Sequence, residues 1–461
     1  MKRYQGVPAA GSDADGEMIG RDKMERSAAI KESELNMEKA AVPPLDAPLD
    51  LVPAKKLGRL SNVDRVKTQH DPQMVDLFVK HMLLGDELAY AAWLALLPLK
   101  GEGKRMIATA LEKGVESVCD APPELVRLFA EADRVPSWVD WDQLYRGGIA
   151  IWRAGNLVPI CLAYSSVGFG FSSYGGTKAL NFTRLLVDND RAGARLSETL
   201  RWFVAVTTPD GMRRENAGFK YSMRVRMVHA AARYGVSRSP LWKWNDWGLP
   251  ITNTDLFFTT SKVFCANLVE ALGRLGISYN QQEKADIFAL WRYIAYVMGV
   301  PDELNHRDMA DSLEKNEVVI AIERAPDEAC RVLLHALIGY TTKADGGYQA
   351  LPAWLLNTLS TKQKLTLTYN LIRYLTDDNF CDDMDIPRRR GLWLIGIASA
   401  LLRAKGRVTR LLPRNDERKV AMLLDHIRDA LAIEDEQAIA SPEEVRHAIQ
   451  AKQPRLLRQA N

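Results

Sequence analysis

Apolar residues in this chain return at steps of three and four, and alternation with a period of two is scarce along all 461 residues. A three-and-four repeat lays one apolar stripe down a helix, whereas a strand needs strict alternation, so the pattern commits the chain to an all-α fold. The stretch DPQMVDLFVKHMLLGDELAYAAWLALLPL, from Asp71, shows it first, with Asp71 and Pro72 forming a helix start. PPELVRLFAEADRVP repeats it between prolines. Further helices are predicted at about 143–163, 188–208, 216–235, 254–276, 280–298, 312–323, 326–340, 351–376, 390–407 and 415–432. No internal repeat of fixed length is visible, so the expectation is one large helical domain with globin-like packing and a ligand site between helices.

Aromatic usage marks the boundaries. Tyr4 alone precedes Phe78, and all 11 tryptophans fall between Trp93 and Trp393. Residues 1–70, with VPPLDAPLDLVP and mixed charges, read as an extended or poorly ordered arm. Residues 71–385 read as the helical domain and 386–461 as a helical extension packed on it. That extension begins PRRRGLWLIGIASALLRAKGRVTRLLPR. A core helix with arginines at its ends accounts for it, and peripheral contact with an anionic membrane surface is the alternative.

With 47% hydrophobic and 26% charged residues, the composition is that of a globular protein. A net charge of +3 gives no basis for nucleic-acid binding. Five scattered cysteines without a CxxC pair argue against disulfides and zinc knuckles. No secretory signal is visible, so a cytoplasmic location is expected. The uncharged run Ala154–Thr177 is long enough to span a bilayer, but its glycines, serines and Pro159 favour a buried helix over an integral span.

Nucleotide motifs come close and fail. From Gly168, GFGFSSYG has Ser173 where a third glycine belongs; from Gly170, GFSSYGGTK has Gly176 where a phosphate loop needs lysine. HExxH, GxSxG and CxxCH are absent. The seven histidines, none spaced three or four apart, exclude a multi-histidine metal site on one helix.

One histidine stands apart. In MRVRMVHAAARYGV, His229 lies in a helix with Arg226 three residues before it and Arg233 four after. The turn TTPDGMRRENAG separates this helix from RLSETLRWFVAV, where Arg195 and Thr199 share a face. Counting outward from about residue 214, Thr199 and His229 should stand at the same height in an antiparallel hairpin. If the helices splay, His229 can ligate a haem iron from one side, with Arg195 and Thr199 facing dioxygen on the other. Arg226 and Arg233 are then placed for the propionates. A core histidine among solvated arginines satisfies the same spacing. Cys265 as a thiolate ligand is disfavoured, because it lies inside a helix pattern.

The combination RLSET…VRMVHAAAR resembles the latex clearing proteins (rubber oxygenases) and the fungal oxygenase of mycophenolic acid biosynthesis. The resemblance extends through PSWVDWDQLYRGG, WGLPITNTDLFFTTSKVF and LGISYNQQEKADIFALWRYIAYVMGVP, roughly residues 75–310. It implies a helical haem b oxygenase that uses dioxygen on a lipophilic, isoprenoid or otherwise unsaturated substrate, with His229 as proximal iron ligand. Arg195 and Thr199 match the family's distal pair.

Two departures qualify that implication. Glu198 stands where rubber-cleaving members carry a lysine beside the threonine, and no Asp or Glu occurs from Gln143 to Val187, where they carry a pocket glutamate. One reading exchanges the charges, giving Glu198 the acid–base role with Lys178 as counter-charge; the other makes Glu198 a solvent-facing residue. A non-catalytic haem-binding or sensing protein, and a haem-free helical interaction protein, remain alternatives. Asn253, before the next helical run, is expected to cap it.

Overall fold

The computed structural model describes residues 57–183, 189–342, 358–409 and 416–430; side chains at 183, 189–196, 341, 405–409 and 429–430 lie outside that description. Among the described residues there are helices and one isolated antiparallel bridge, Leu60 with Glu323, and no strand. The all-α expectation holds.

The chain enters earlier than its composition implies. Arg59 is fully buried, its guanidinium held by Asp255 at 2.6 Å and Glu323 at 2.6 Å. Residues 57–70, expected in a loose arm, therefore pack on the body, with a short helix α1 (Val63–Lys67). The aromatic-poor composition hid this, because the anchors are Arg59, the apolar Leu57 and Val66, and backbone bonds such as Ser61 N–H to the Ile322 carbonyl. Helices α2 (Pro72–His81) and α3 (Glu87–Leu96) follow, capped by Asp71 and Asp86. Next come α4 (Gly101–Lys113), α5 (Pro123–Ala132) and α6 (Trp141–Trp152).

The helix predicted at 143–163 is in fact broken after α6 by a turn at residues 153–156, where Gly155 takes φ +66°. A left-handed residue cannot continue a helix, and glycine adopts it without strain. The chain resumes as α7 (Leu157–Gly170), which contains a π-helical turn at Leu162–Ser166, and bends 97° into α8 (Tyr174–Thr183). No single described helix is long and apolar enough to cross a membrane.

The long hairpin α9 (Asn189–Thr207) and α10 (Ala217–Ser237) comes next. Then α11 runs through Asn253–Phe257, a π-helical Phe258–Ala266 and Asn267–Arg274. Its cap is Thr252, whose hydroxyl accepts from the Asp255 amide while Asp255 accepts from the Thr252 amide. Asn253, expected as the cap, is the first helical residue and meets His81 Nδ1 at 3.2 Å. Within the π stretch, Thr259 and Thr260 donate to the carbonyls four residues back, competing with the backbone ladder. Helices α12 (Gln281–Val297), α13 (Met309–Ile322), α14 (Glu328–Thr342), α15 (Thr361–Leu375), α16 (Asp378–Asp383), α17 (Leu392–Thr409) and α18 (Asp416–Ala430) complete the body.

One apolar core runs through these helices. Helices α6 and α12 meet most closely at Gly147, where a Cβ would strike the Asp286 carbonyl. An aromatic block ties α9, the π stretch and α12 together: Trp291 stacks on Phe264 at 5.9 Å and 7°, with Trp202 at 6.0 Å and Phe203 at 5.8 Å.

Buried His306 gives the fold an acid-sensitive point. Its Nε2 donates to the Phe288 carbonyl at 3.0 Å, and burial, opposed by that bond, pushes its pKa down to about 4 from 6.5. Between those values the unfolded chain binds a proton that the folded chain refuses, so stability is complete above 6.5 and falls as pH drops towards 4. The full contribution is about 3 kcal/mol. His306→Gln, which keeps an N–H for Phe288, should show a smaller loss of urea midpoint between pH 7 and 4.5. An unchanged loss would contradict this assignment.

Candidate haem site in the α9–α10 hairpin

Small residues close the hairpin at its turn. A Cβ on Gly218 would stand 2.6 Å from the Gly211 carbonyl oxygen and 2.7 Å from that of Ala205, so only glycine permits this approach. Further out, Trp202 Nε1 donates to Ser222 Oγ at 3.3 Å. Both pairings centre the hairpin near residue 212, not 214. With each helix rising about 1.5 Å per residue, the α9 position level with His229 is Arg195. Thr199 stands a turn nearer the loop, level with Val225. The expected Thr199–His229 pairing is thus displaced by one helical turn, because α9 extends to Thr207 and α10 starts at Ala217, which centres the loop on residue 212 and not 214.

Accessibility changes along the hairpin. Near the turn Phe203, Val206, Phe219 and Met223 are buried. Higher up, Ser197, Glu198 and Thr199 on α9 and Val228 and His229 on α10 are only half-buried. His229 Nδ1 itself is shut off from solvent, although the residue as a whole is partly exposed. On its other flank α10 packs Ala232 and Val236 with Ala179 of α8 and with Trp242 in a small apolar cluster separate from the main core. The hairpin therefore has a dry floor of aromatic side chains and a half-open upper part that contains His229. The side chain of Arg195 lies outside the described residues.

The arginines beside His229 have other work. Arg226 is buried; its Nε donates to Asp86 at 2.6 Å, and its Nη1 donates to Glu131 at 3.0 Å and to the Val297 carbonyl at 3.3 Å. Burial opposes its charge, but Asp86 and Glu131 outweigh it and hold the proton more tightly than usual. Arg233 is equally buried and gives its donors to the carbonyls of Pro250, Asp86 and Ile251. Burial lowers its pKa, with Asp86 as the main opposing charge. Both guanidiniums thus bind protein groups in place of the propionates expected from their spacing. Helical geometry explains the difference: at 100° per residue both project about 50° to one side of His229, towards α3. Asp86, the residue that draws them there, is 140 positions from Arg226 and carried no sequence signal.

The exchanged-charge reading also changes. Lys178 Nζ pairs with Asp327 at 2.5 Å and lies 4.2 Å from the centre of the Tyr174 ring, so its counter-ion is Asp327 and not Glu198. Cys265 is fully buried, and burial pushes its thiol well above the usual range, against a thiolate ligand. No group of three or more metal-ligating side chains occurs among the described residues.

Comparison with known proteins places this hairpin in a wider context. Residues 182–411 match the family described as ER-bound oxygenase mpaB/B′/Rubber oxygenase, catalytic domain. The chain belongs to this family. The matched region opens just before α9 and contains Arg195, Glu198, Thr199 and His229. Within the family, the chain is 24% identical to the rubber oxygenase of a Streptomyces species over 234 residues, 49% of this chain and 55% of that relative. It thus spans little more than half of the relative's length. A solved structure, that of latex clearing protein LCP in the closed state, superposes with a TM-score of 0.53 at 18% identity. That match covers 78% of this chain and 94% of the other. The mpaB/rubber-oxygenase fold therefore extends well beyond the half of the chain in which sequence likeness is measurable.

A haem in this hairpin needs an imidazole edge reachable from an opening, and counter-charges for two propionates. His229, partly exposed on α10 and the one histidine of the hairpin, is the candidate for the first. Arg226 and Arg233 do not supply the second, since their donors are engaged.

Proposed function

We infer that this chain is a haem b-dependent oxygenase that uses dioxygen on a lipophilic, unsaturated substrate of the isoprenoid class. The observation that carries the reading is the coincidence of the family's catalytic domain with a hairpin whose one histidine is half-buried and level with Arg195. His229 would hold the iron. The haem, when bound, supplies the redox chemistry with dioxygen.

The chain's own groups set access and polarity. The aromatic floor of Trp202, Phe203, Phe264 and Trp291 keeps water from the closed end of the hairpin. Arg195 and Thr199, one turn apart in the sequence of α9, would offer a guanidinium and a hydroxyl as hydrogen-bond donors. Glu198, half-buried on the same helix, would be the carboxylate that accepts or holds a proton.

Haem binding without turnover is the second reading. The pairing of Lys178 with Asp327 favours it, because the position matching the family's pocket glutamate then offers neither a base nor a free ammonium.

An oxygen electrode separates the two. Haem-loaded protein given squalene in detergent should consume dioxygen and release a pair of carbonyl groups for each dioxygen used. Thr199→Val should slow uptake by on the order of tenfold or more. Stable haem with no uptake above the substrate-free rate would leave the binding reading.

A further inference from the structure

Among its described side chains, helix α17 is anchored on one side. Ser399 Oγ donates to the Arg274 carbonyl at 2.5 Å, and Ile395 and Ser399 are buried. The opposite face is bare: Trp393 is 65% exposed, Leu394 56%, Ile397 51% and Leu401 66%. These positions recur at three- and four-residue steps, so they form one stripe, and Ala398, Ala400 and Ala404 extend it in exposed positions. Gly391 to Leu402 contains no charged residue.

The flanks are as one-sided in charge as the stripe is in polarity. From Ile386 to Asn415 the sequence carries Arg388, Arg389, Arg390, Arg403, Lys405, Arg407, Arg410 and Arg414 and no acidic residue. Arg388 shares Asp378 and Asp382 with Arg373. Arg389 and Arg390 are exposed, and no carboxylate lies within pairing distance of either among the described residues. Isolated exposed apolar residues are ordinary, but a continuous stripe with unmatched cations at its end is not.

We propose that this face of α17 docks flat on an anionic lipid surface. Trp393, Leu394, Ile397 and Leu401 enter the acyl boundary, and Arg389 and Arg390 sit among the headgroups. At about 1.5 Å per residue, the apolar stretch is roughly 20 Å long, which suits lying in the interface and is too short to span a bilayer. The charge pattern selects the occupant: a second copy of the chain would bring the same cations to the same edge, whereas phosphate headgroups neutralise them. The proposal stands apart from the haem reading and does not need it.

Co-sedimentation of the full chain with vesicles tests it. Phosphatidylcholine vesicles containing a quarter phosphatidylglycerol should bind about tenfold more protein than phosphatidylcholine alone. Trp393→Glu with Leu401→Glu should abolish binding while leaving the melting temperature within a few degrees, since both side chains are exposed. Arg389→Glu with Arg390→Glu should remove the preference for anionic lipid. Three results would overturn the proposal: no vesicle binding, undiminished binding by both variants, or self-association lost in Trp393→Glu/Leu401→Glu without any vesicle binding.

Discussion

Replacing Asp86 with alanine is expected to lower the free energy of unfolding by about 3–5 kcal/mol, the cost of leaving a buried guanidinium without its partner. Asp86 serves three groups at once. It accepts the Ala89 amide at 3.1 Å as the cap of α3, binds Arg226 at 2.6 Å, and is the main opposing charge for Arg233. Loss of the cap alone costs about 1 kcal/mol. The rest arises because Glu131 meets only one edge of Arg226 and no carboxylate lies within 4 Å of Arg233 among the described residues. Gly299 shows how tightly the site is built: its φ is +87°, and a Cβ there would stand 2.5 Å from Asp86 Oδ2 and 2.6 Å from Arg226 Nε. Urea unfolding should rank the variants Asp86→Asn, then Asp86→Ala, in increasing damage. Adding Arg226→Met to Asp86→Ala should restore a large part of the loss, because the orphaned charge goes with it. A loss below about 1 kcal/mol in Asp86→Ala would mean that solvent reaches the cluster.

The same cluster bears on function. Arg226 and Arg233 fix α10 against α3 and the residues after Trp247, so they hold the helix that carries His229. If His229 holds haem as proposed, they act as positioning residues of the hairpin, and their variants should lose stability together with haem affinity.

Helical periodicity made most of the fold legible, since an apolar stripe records which face each helix buries. The ends of α9, α10, α12 and α13 fall within a few residues of expectation for that reason. What stayed hidden depends on partners distant in the chain or on backbone detail. Arg59 looked like part of a loose arm because its partners, Asp255 and Glu323, are 196 and 264 positions away. The π-helical stretch left no trace in the periodicity, because one extra residue per turn blurs a stripe without erasing it. At the site, the spacing of Arg226, His229 and Arg233 was correct as helix geometry. It misled only about partners, because charge spacing on one helix says nothing of the helix that faces it. The height of His229 against α9 was off by a turn because the loop residues joining the helices are not symmetric about residue 214.

The central claim is that His229 ligates a haem iron between α9 and α10, and absorption spectroscopy with a pyridine hemochrome assay tests it most directly. Chain loaded with hemin should show a Soret band, about one iron per chain and the hemochrome of haem b. His229→Ala should retain a helical circular dichroism spectrum but lose nearly all of the bound haem, since this imidazole would be the residue that holds the iron. Imidazole added to that variant should restore part of the band by entering the space left by the side chain. Equal haem content and an unshifted Soret band in His229→Ala would contradict the account, because the iron would then be held by some other group or the hairpin would not be the site.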